Sequence, residues 1–268
     1  MPNPARVLIV AGSDSGGGAG IQADIKTATA LGAYAMTAIT AVTVQDTTGV
    51  HSFHAVPPDT VAAQMRVVLA DIGADAIKTG MLASAGIVEA VVAALTPYGA
   101  IPLVVDTVMI AKGGSSLVDD SGVEAMKRLL IPRATLITPN APEAARLTGR
   151  AVETPDDMIA AAKALHAGGA RAVLVKGGHV PGDTVTDVLV DASGVQIFRA
   201  RRIETTSTHG TGCTLASAIA TGLAQGMPLG DAVTRARSFL REALRSGLAL
   251  GRGTGPLNHM HAIPPYGA

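Results

Sequence analysis

The sequence predicts an α/β protein in which one mostly parallel sheet carries helices on both faces. Three observations lead there. Short β-branched runs alternate with longer segments of helical period, polar and glycine-rich residues collect where those runs end, and no composition break, linker or internal repeat divides the 268 residues. Such alternation is what right-handed crossovers between parallel strands leave in a chain. A chain this long buries a sizeable core, and residues 1–268 are read as a single domain.

The elements follow in order. Strands are expected at 6–11, 35–44, 75–78, 102–106, 134–138 and 171–176, each a run of β-branched or aliphatic residues. A later pair, 185–190 and 195–200, is joined by Asp191-Ala192-Ser193-Gly194 and reads as a hairpin, and a small β-flap is expected around 47–56. In 84–95, Ile87, Val91 and Leu95 recur every four residues beside Val88 and Val92, which makes one apolar helix face. Thr154-Pro155-Asp156-Asp157 is a helix start, with a capping Thr, Pro at the first helical position and acids in the first turn. Leu215, Ile219 and Leu223 keep helical register through 213–225, and a last helix is expected at 229–248. The tail after residue 251, rich in Gly, Pro and His, reads as irregular.

Composition removes several function classes. Lys+Arg and Asp+Glu are equal at 21 each, so the formal net charge is zero. That offers no electrostatic attraction to nucleic acid or a membrane surface. With no Trp, three Tyr and three Phe there is no base-stacking platform either. Cys213 is the only cysteine, so no intrachain disulfide is possible and a reducing compartment is expected. The apolar run 7–11 breaks at Gly12-Ser13-Asp14, far short of the ~20 residues of a membrane span. A cytoplasmic protein is the expectation.

Ligands of open parallel sheets bind beyond the carboxyl ends of the strands. After the first strand comes Gly12-Ser13-Asp14-Ser15-Gly16-Gly17-Gly18-Ala19-Gly20, and the second leads to Gln45 and Asp46. The later ones end at Asp106, at Asn140 with Glu143, and at Lys176-Gly177-Gly178. The most telling segment is Thr208-His209-Gly210-Thr211-Gly212-Cys213, which runs straight into a helix. Amides at a helix start hold anions, and glycines let the backbone approach a phosphate. Transfer of a phosphoryl group asks mainly for positioning and charge stabilisation, which such a turn supplies. Read alone, the same segment equally describes a glycine-rich start of a core helix capped by Thr211.

No Gly-x-x-x-x-Gly-Lys-Ser/Thr pattern is present, which excludes a Walker-type loop. Gly18-x-Gly20-x-x-Ala23 does match a loose dinucleotide fingerprint, with Asp46 where a ribose-binding acid could sit, so a nicotinamide or flavin oxidoreductase is the competing reading. Against it, the stretch 12–19 is long for a tight dinucleotide turn, and Lys176 and the Gly-Thr-Gly-Cys turn are left without a role.

Six ordered blocks resemble one family. They are Ala11-Gly12-Ser13-Asp14-Ser15-Gly16-Gly17-Gly18-Ala19-Gly20-Ile21-Gln22-Ala23-Asp24, Val44-Gln45-Asp46-Thr47-Thr48-Gly49-Val50, Lys78-Thr79-Gly80-Met81-Leu82, Thr138-Pro139-Asn140-Ala141-Pro142-Glu143-Ala144, Val175-Lys176-Gly177-Gly178-His179 and His209-Gly210-Thr211-Gly212-Cys213-Thr214. Together they are similar to the hydroxymethylpyrimidine/phosphomethylpyrimidine kinases of thiamine biosynthesis, and the likeness runs from Val7 to about Gly251.

The resemblance implies a ribokinase-like three-layer sandwich, a homodimer, a small pyrimidine substrate, and use of ATP with Mg2+. It implies that Gln45 bonds the aminopyrimidine, whose ring nitrogens and exocyclic amine a side-chain amide can match. Gly12, Ala19, Thr43 and Met81 would frame the ring, with Asp24 near the hydroxymethyl group. Gly210 and Gly212 would form the anion hole. Lys176, Thr211 and Asn140 would meet the nucleotide, and Glu143 with Asp106 would organise the metal. Cys213 would be the catalytic base, since a helix N-terminus favours thiolate. One departure stands out: relatives usually read Asp-Pro-Val-Met where this chain has Asp106-Thr107-Val108-Met109, which is expected to loosen the turn holding Asp106. A pyridoxal or pyridoxine kinase is the nearest alternative. A non-catalytic pyrimidine sensor is another, which the joint presence of Cys213, Lys176 and Glu143 argues against.

Overall fold

The computed structural model describes residues 3–110 and 117–264. The chain forms β1 (Arg6–Ser13), α1 (Gly20–Ala30), β2 (Tyr34–Asp46), β3 (Gly49–Ala55), α2 (Pro58–Asp71), β4 (Ala76–Thr79), α3 (Ala85–Leu95) and β5 (Leu103–Val105). It continues through α4 (Asp120–Ala125), β6 (Leu136–Ile137), α5 (Ala141–Thr148), α6 (Pro155–Ala167), β7 (Val173–Val175), the pair β8 (Thr184–Asp191) and β9 (Gly194–Arg201), then α7 (Thr211–Ala224) and α8 (Leu229–Arg245). These strands make a single sheet in the order β3-β2-β1-β4-β5-β6-β7-β8-β9. From β2 to β7 all pairings are parallel, while β3, β8 and β9 join antiparallel at the edges.

The apolar strand runs have a direct cause. On β1, Val7 and Ile9 pack into one layer with Ile21 of α1, Leu215 and Ile219 of α7 and Ala236 of α8. Leu8 and Val10 pack into the opposite layer with Met65 of α2, Ile87 and Val91 of α3 and Met158 of α6. Side chains alternate between faces, and here both faces are covered, so no polar residue interrupts the run. Each such burial stabilises by about 1.5–3 kcal/mol, and truncating Ile9 to Ala would cost about 2–5 kcal/mol through the hole it leaves.

Helix starts behave as their residues dictate. Ser84 accepts the Ile87 amide at the start of α3, and Thr154 with Asp157 forms a reciprocal capping box at the start of α6. The expected flap at 47–56 is the sheet's edge strand β3, paired with β2 across a turn that Asp46 organises by accepting from Thr48 and Gly49. The central strands are shorter than their apolar runs, because Asp106, Asn140 and Lys176 already belong to loops at the sheet's carboxyl end. Helix α2, not expected from the sequence, starts at Pro57-Pro58-Asp59 and carries Val61, Met65 and Leu69 at four-residue spacing.

The tail after residue 251 is irregular except for a 3₁₀ turn at His259–Ala262, and its residues 265–268 lie outside the described ones. It is nonetheless docked. Thr254 donates to the Thr47 carbonyl, His209 donates to the Gly255 carbonyl, and His259 meets the Thr214 hydroxyl at 2.8 Å. Among the described residues no helix is long and apolar enough to cross a membrane.

Candidate active site

A cavity of ≈ 780 Å³ opens at the carboxyl end of the sheet, within the size range of small-molecule sites. Gly12 from β1, Gln45 from β2, Lys78 from β4, Asp106 after β5, Asn140 and Glu143 after β6 and Lys176 after β7 all reach its wall, as does the whole turn from Thr208 to Cys213.

That turn is not an ordinary cap. The residue preceding α7 is Gly210, in the left-handed region at φ 82°, and no side chain caps the helix, so Thr211 does not take the capping role. The first-turn amides therefore face the cavity with the positive end of the helix dipole. Glycine is required at 210: a β-carbon there would lie 1.9 Å from the Gly18 carbonyl oxygen. The turn from 12 to 20 and the start of α7 are thus pressed together.

Beneath the turn lies a second charge system. Lys176 donates to Asp106 Oδ1 at 2.9 Å, and Thr138 donates to the same oxygen at 3.2 Å. Burial raises the Asp106 carboxyl, but Lys176 and then Lys78 outweigh it and hold it below the ordinary carboxylate range. The expected loosening around Thr107 is not seen. The Asp106 amide is tied to Thr79, and the buried Thr107 hydroxyl donates to Glu143 Oε2 at 3.2 Å. Asn140 and Glu143 form a capping box at the start of α5: Asn140 Oδ1 accepts the Glu143 amide, and Glu143 Oε2 accepts the Asn140 amide. Burial raises the Glu143 carboxyl above its usual range, Lys176 opposing and Asp106 adding to the rise.

The far wall belongs to Gln45. A register shift between Val44 and Gln45 interrupts the pairing of β2 with β3, the kind of irregularity that re-aims a side chain. Gln45 Oε1 accepts from Thr43 at 3.2 Å, and Nε2 lies 3.3 Å from His209 Nε2. His209 in turn is 2.9 Å from Asp14 Oδ2. Asp14 also accepts the amides of Gly16, Gly18 and Ala19. Burial pushes its carboxyl up, yet His209 and these amides prevail and hold it below the ordinary range. The amides that a dinucleotide pyrophosphate would need are thereby occupied, which removes the oxidoreductase reading. Gly12, Ala19, Thr43 and Met81 line the same wall, with Met81 packed on Ala41 and Leu117.

One expectation needs correction, and the setting of another is set out with it. Asp24 is not on the cavity wall; it is fully buried behind it, bonded by Lys78 Nζ at 2.9 and 2.8 Å and by Ser217 at 2.6 Å. Position 24 falls on the face of α1 turned toward α7, so it cannot touch a ligand directly. The surroundings of Cys213 oppose the thiolate that a helix start favours. Burial pushes its thiol up to about 12, against the lowering by Lys78 and by the Gly20 amide, so desolvation outweighs the helix terminus.

Asp14, Lys78 and Thr107 were given no role by the sequence reading. Lys78, a lone cation inside Ala76-Ile77-Lys78-Thr79, was the available signal, because a Lys in a buried strand needs a partner. The cavity is also lined by Val185, Ile203, Leu240 and Leu244 and by Arg202, Arg237 and Arg241. No short motif marks these residues, which come from β8, α8 and the segment after β9. His51 pairs with Asp46 on the exposed hairpin turn.

The residues present suit a hard divalent cation. Asp106 Oδ2 is buried without a hydrogen-bond partner, and Glu143 faces the same cavity. Among the described residues no group of three or more His, Cys, Asp or Glu side chains comes together as a closed metal cage. Few protein oxygens, with water and phosphate completing the shell, is the habit of magnesium.

A family model described as phosphomethylpyrimidine kinase matches residues 14–258. The hydroxymethylpyrimidine/phosphomethylpyrimidine kinase of Bacillus subtilis is 48% identical over 255 residues, covering 95% of this chain and 94% of that protein. The thiamine biosynthesis bifunctional protein ThiED of Geobacter sulfurreducens is 52% identical over 256 residues; these are 96% of this chain and 52% of that protein, so the chain spans about half its length. Among solved structures, the ADP complex of Bacillus subtilis pyridoxal kinase superposes with a TM-score of 0.90 at 36% identity, over 96% of this chain and 98% of that one. A phosphomethylpyrimidine kinase from Clostridium difficile gives 0.80 at 39% identity, over 89% and 99%.

Proposed function

The chain belongs to the phosphomethylpyrimidine kinase family, with the ribokinase-like three-layer fold, and from that premise we infer its reaction. It transfers the terminal phosphoryl group of ATP to the hydroxymethyl oxygen of 4-amino-5-hydroxymethyl-2-methylpyrimidine, and then phosphorylates the monophosphate to the pyrophosphate, in thiamine biosynthesis. The observation that carries this reading is the uncapped start of α7, facing one cavity that also holds Lys176, Asp106, Glu143 and Gln45.

Each residue then has a task. Gln45, held by Thr43 and beside His209, offers one carbonyl and one NH2 to the aminopyrimidine edge. Gly12, Ala19, Thr43 and Met81 frame the ring. The amides from Gly210 to Cys213 face the charge on the transferring phosphoryl group, and Lys176, Thr211 and Asn140 hold the nucleotide's phosphates. Asp106 and Glu143 are the carboxylates that would hold Mg2+, which neutralises phosphate charge when bound. Cys213, in its thiolate form, accepts the substrate hydroxyl proton. A loose transition state lets that transfer come late, when the oxygen is already bonding to phosphorus and has become acidic. We also propose that residues 1–268 act as one unit and that two copies associate, as the family likeness implies; sedimentation of the purified chain tests the latter.

The test is direct. Mg-ATP is incubated with hydroxymethylpyrimidine, with its monophosphate and with pyridoxal, and each product is followed. Turnover of the first two is expected. The backbone likeness to pyridoxal kinases makes a pyridoxal kinase the alternative that the third arm tests; turnover of pyridoxal alone would overturn the assignment.

A further inference from the structure

Asp14 and His209 stand in the cavity wall without a task in phosphoryl transfer. Asp14 is buried, and its oxygens collect the amides of Gly16, Gly18 and Ala19 together with the ring of His209. That ring has little room to turn. A β-carbon on Gly18 would collide with His209 Cδ2, and the His209 amide donates to the Gly255 carbonyl. Beyond the ring lies Gln45, whose backbone is held by Ser15: the serine hydroxyl donates to the Gln45 carbonyl and accepts from its amide.

The placing of protons decides how these side chains face one another. An ionised carboxylate only accepts, so His209 Nε2 must present an N–H to Asp14 Oδ2, 2.9 Å away. The nitrogen and oxygen of a carboxamide are told apart by their partners. With Gln45 Nε2 toward His209, two donors oppose each other at 3.3 Å. Half a turn of the amide removes that conflict. Its oxygen then accepts from His209, and its NH2 faces Thr43 Oγ1, 3.2 Å across the other contact. Thr43 gives its one hydroxyl proton to the Ser13 carbonyl at 2.9 Å, which leaves its oxygen to accept.

We propose that His209, anchored on Asp14, is a positioning residue for substrate specificity: it fixes which way round Gln45 presents its amide. The proposal rests on reading Gln45 as the partner of the aminopyrimidine edge. In that substrate the ring nitrogen, the carbon bearing the amino group and the carbon bearing the hydroxymethyl group follow one another around the ring. The amide oxygen beside His209 takes the amino group, and the NH2 beside Thr43 takes the ring nitrogen. The hydroxymethyl group, next in order after the amino group, then lies on the side of Gly210 and the start of α7. The opposite amide would turn it away from the transferring phosphoryl group.

The test is a double-mutant cycle on binding, read by calorimetry without turnover in wild type, His209→Leu, Gln45→Ala and the two combined. His209→Leu should weaken hydroxymethylpyrimidine about tenfold, the scale of one hydrogen bond lost with its partner left unpaired. Affinity for a non-hydrolysable ATP analogue should stay within about twofold. In the Gln45→Ala background the same change should cost less than about twofold, because its effect passes through Gln45. His209→Gln, which returns an N–H at similar reach, should recover most of the loss. An equal loss in both backgrounds, or none in either, overturns the proposal, since a merely structural role is felt with or without Gln45. Should His209→Leu fail to fold by circular dichroism, long-range proton–nitrogen NMR of wild type decides, the His209 signal being the one lost in His209→Gln. A proton on Nε2 is expected, and a bare Nε2 overturns the proposal. Should wild type bind no pyrimidine, the substrate reading falls and this proposal with it; equal losses in a protein that does bind it sink this proposal alone.

Discussion

Lys176 and Asp106 meet at 2.9 Å directly beneath Gly212, where a β-carbon would come within 3.3 Å of the ammonium and 3.6 Å of Asp106 Oδ2. The turn at the start of α7 and the ion pair are therefore one construction. Lys176→Met should lower kcat by about 10²–10³-fold, the usual effect of removing one charge-stabilising group. Steady-state kinetics at saturating ATP checks this, and a loss of under fivefold would mean that Lys176 is only structural.

Gly210→Ala collides with the Gly18 carbonyl and puts Ala at a positive φ. It should destabilise the fold by at least ~1–3 kcal/mol, read as a lower urea midpoint, and abolish turnover. Gly212→Ala meets only the Lys176 and Asp106 side chains, so it should keep the wild-type midpoint but lose activity. Equal midpoints in both variants would contradict the close approach of the two loops.

Gln45→Ala removes the group assigned to the pyrimidine edge. The KM for hydroxymethylpyrimidine should rise by about 10–100-fold, the loss expected when ligand polar groups go unpaired, while the KM for ATP stays as it was. A rise confined to ATP would place the pyrimidine elsewhere.

Cys213→Ser and Cys213→Ala should each lose about 10²-fold or more in kcat, the scale of general-base catalysis. Near-normal rates in both would leave the thiol a space-filling role.

His259 supplies a pH test of stability. Burial lowers its pKa to about 4 from an ordinary 6.5, with Lys26 and His261 adding to the effect. The unfolded chain therefore binds a proton that the folded chain refuses. The contribution is fully present above about pH 6.5, is lost as pH falls toward about 4, and amounts to no more than ~3 kcal/mol. Urea midpoints of wild type and His259→Gln, compared across that window, should show a shallower acid-side loss in the variant.

Sheet and helix alternation was legible because both faces of β1 to β7 are covered, which leaves unbroken apolar runs between polar loop ends. The strand ends were not legible: Asp106 and Lys176 continue their runs in the chain but turn into the cavity. Gln45, Lys176, Asn140, Glu143 and Cys213 do come together, as their positions at strand and helix ends foretold. Asp24 escaped because nothing in a run of residues tells which acid on a helix faces a lysine from a distant strand. The setting of Cys213 was hidden for a related reason. A helix start is visible in the sequence, whereas the burial that raises the thiol exists only after folding.

The meeting of Asp24 with Ser217 spans 193 residues, and α1 rests on α7 along the same seam. No early stretch of the chain can hold the proposed anion hole, because its lower jaw is made near the start and its upper jaw near the end. In refolding, helix and strand signals should return before phosphotransfer does, since activity must wait for a loop closure this long.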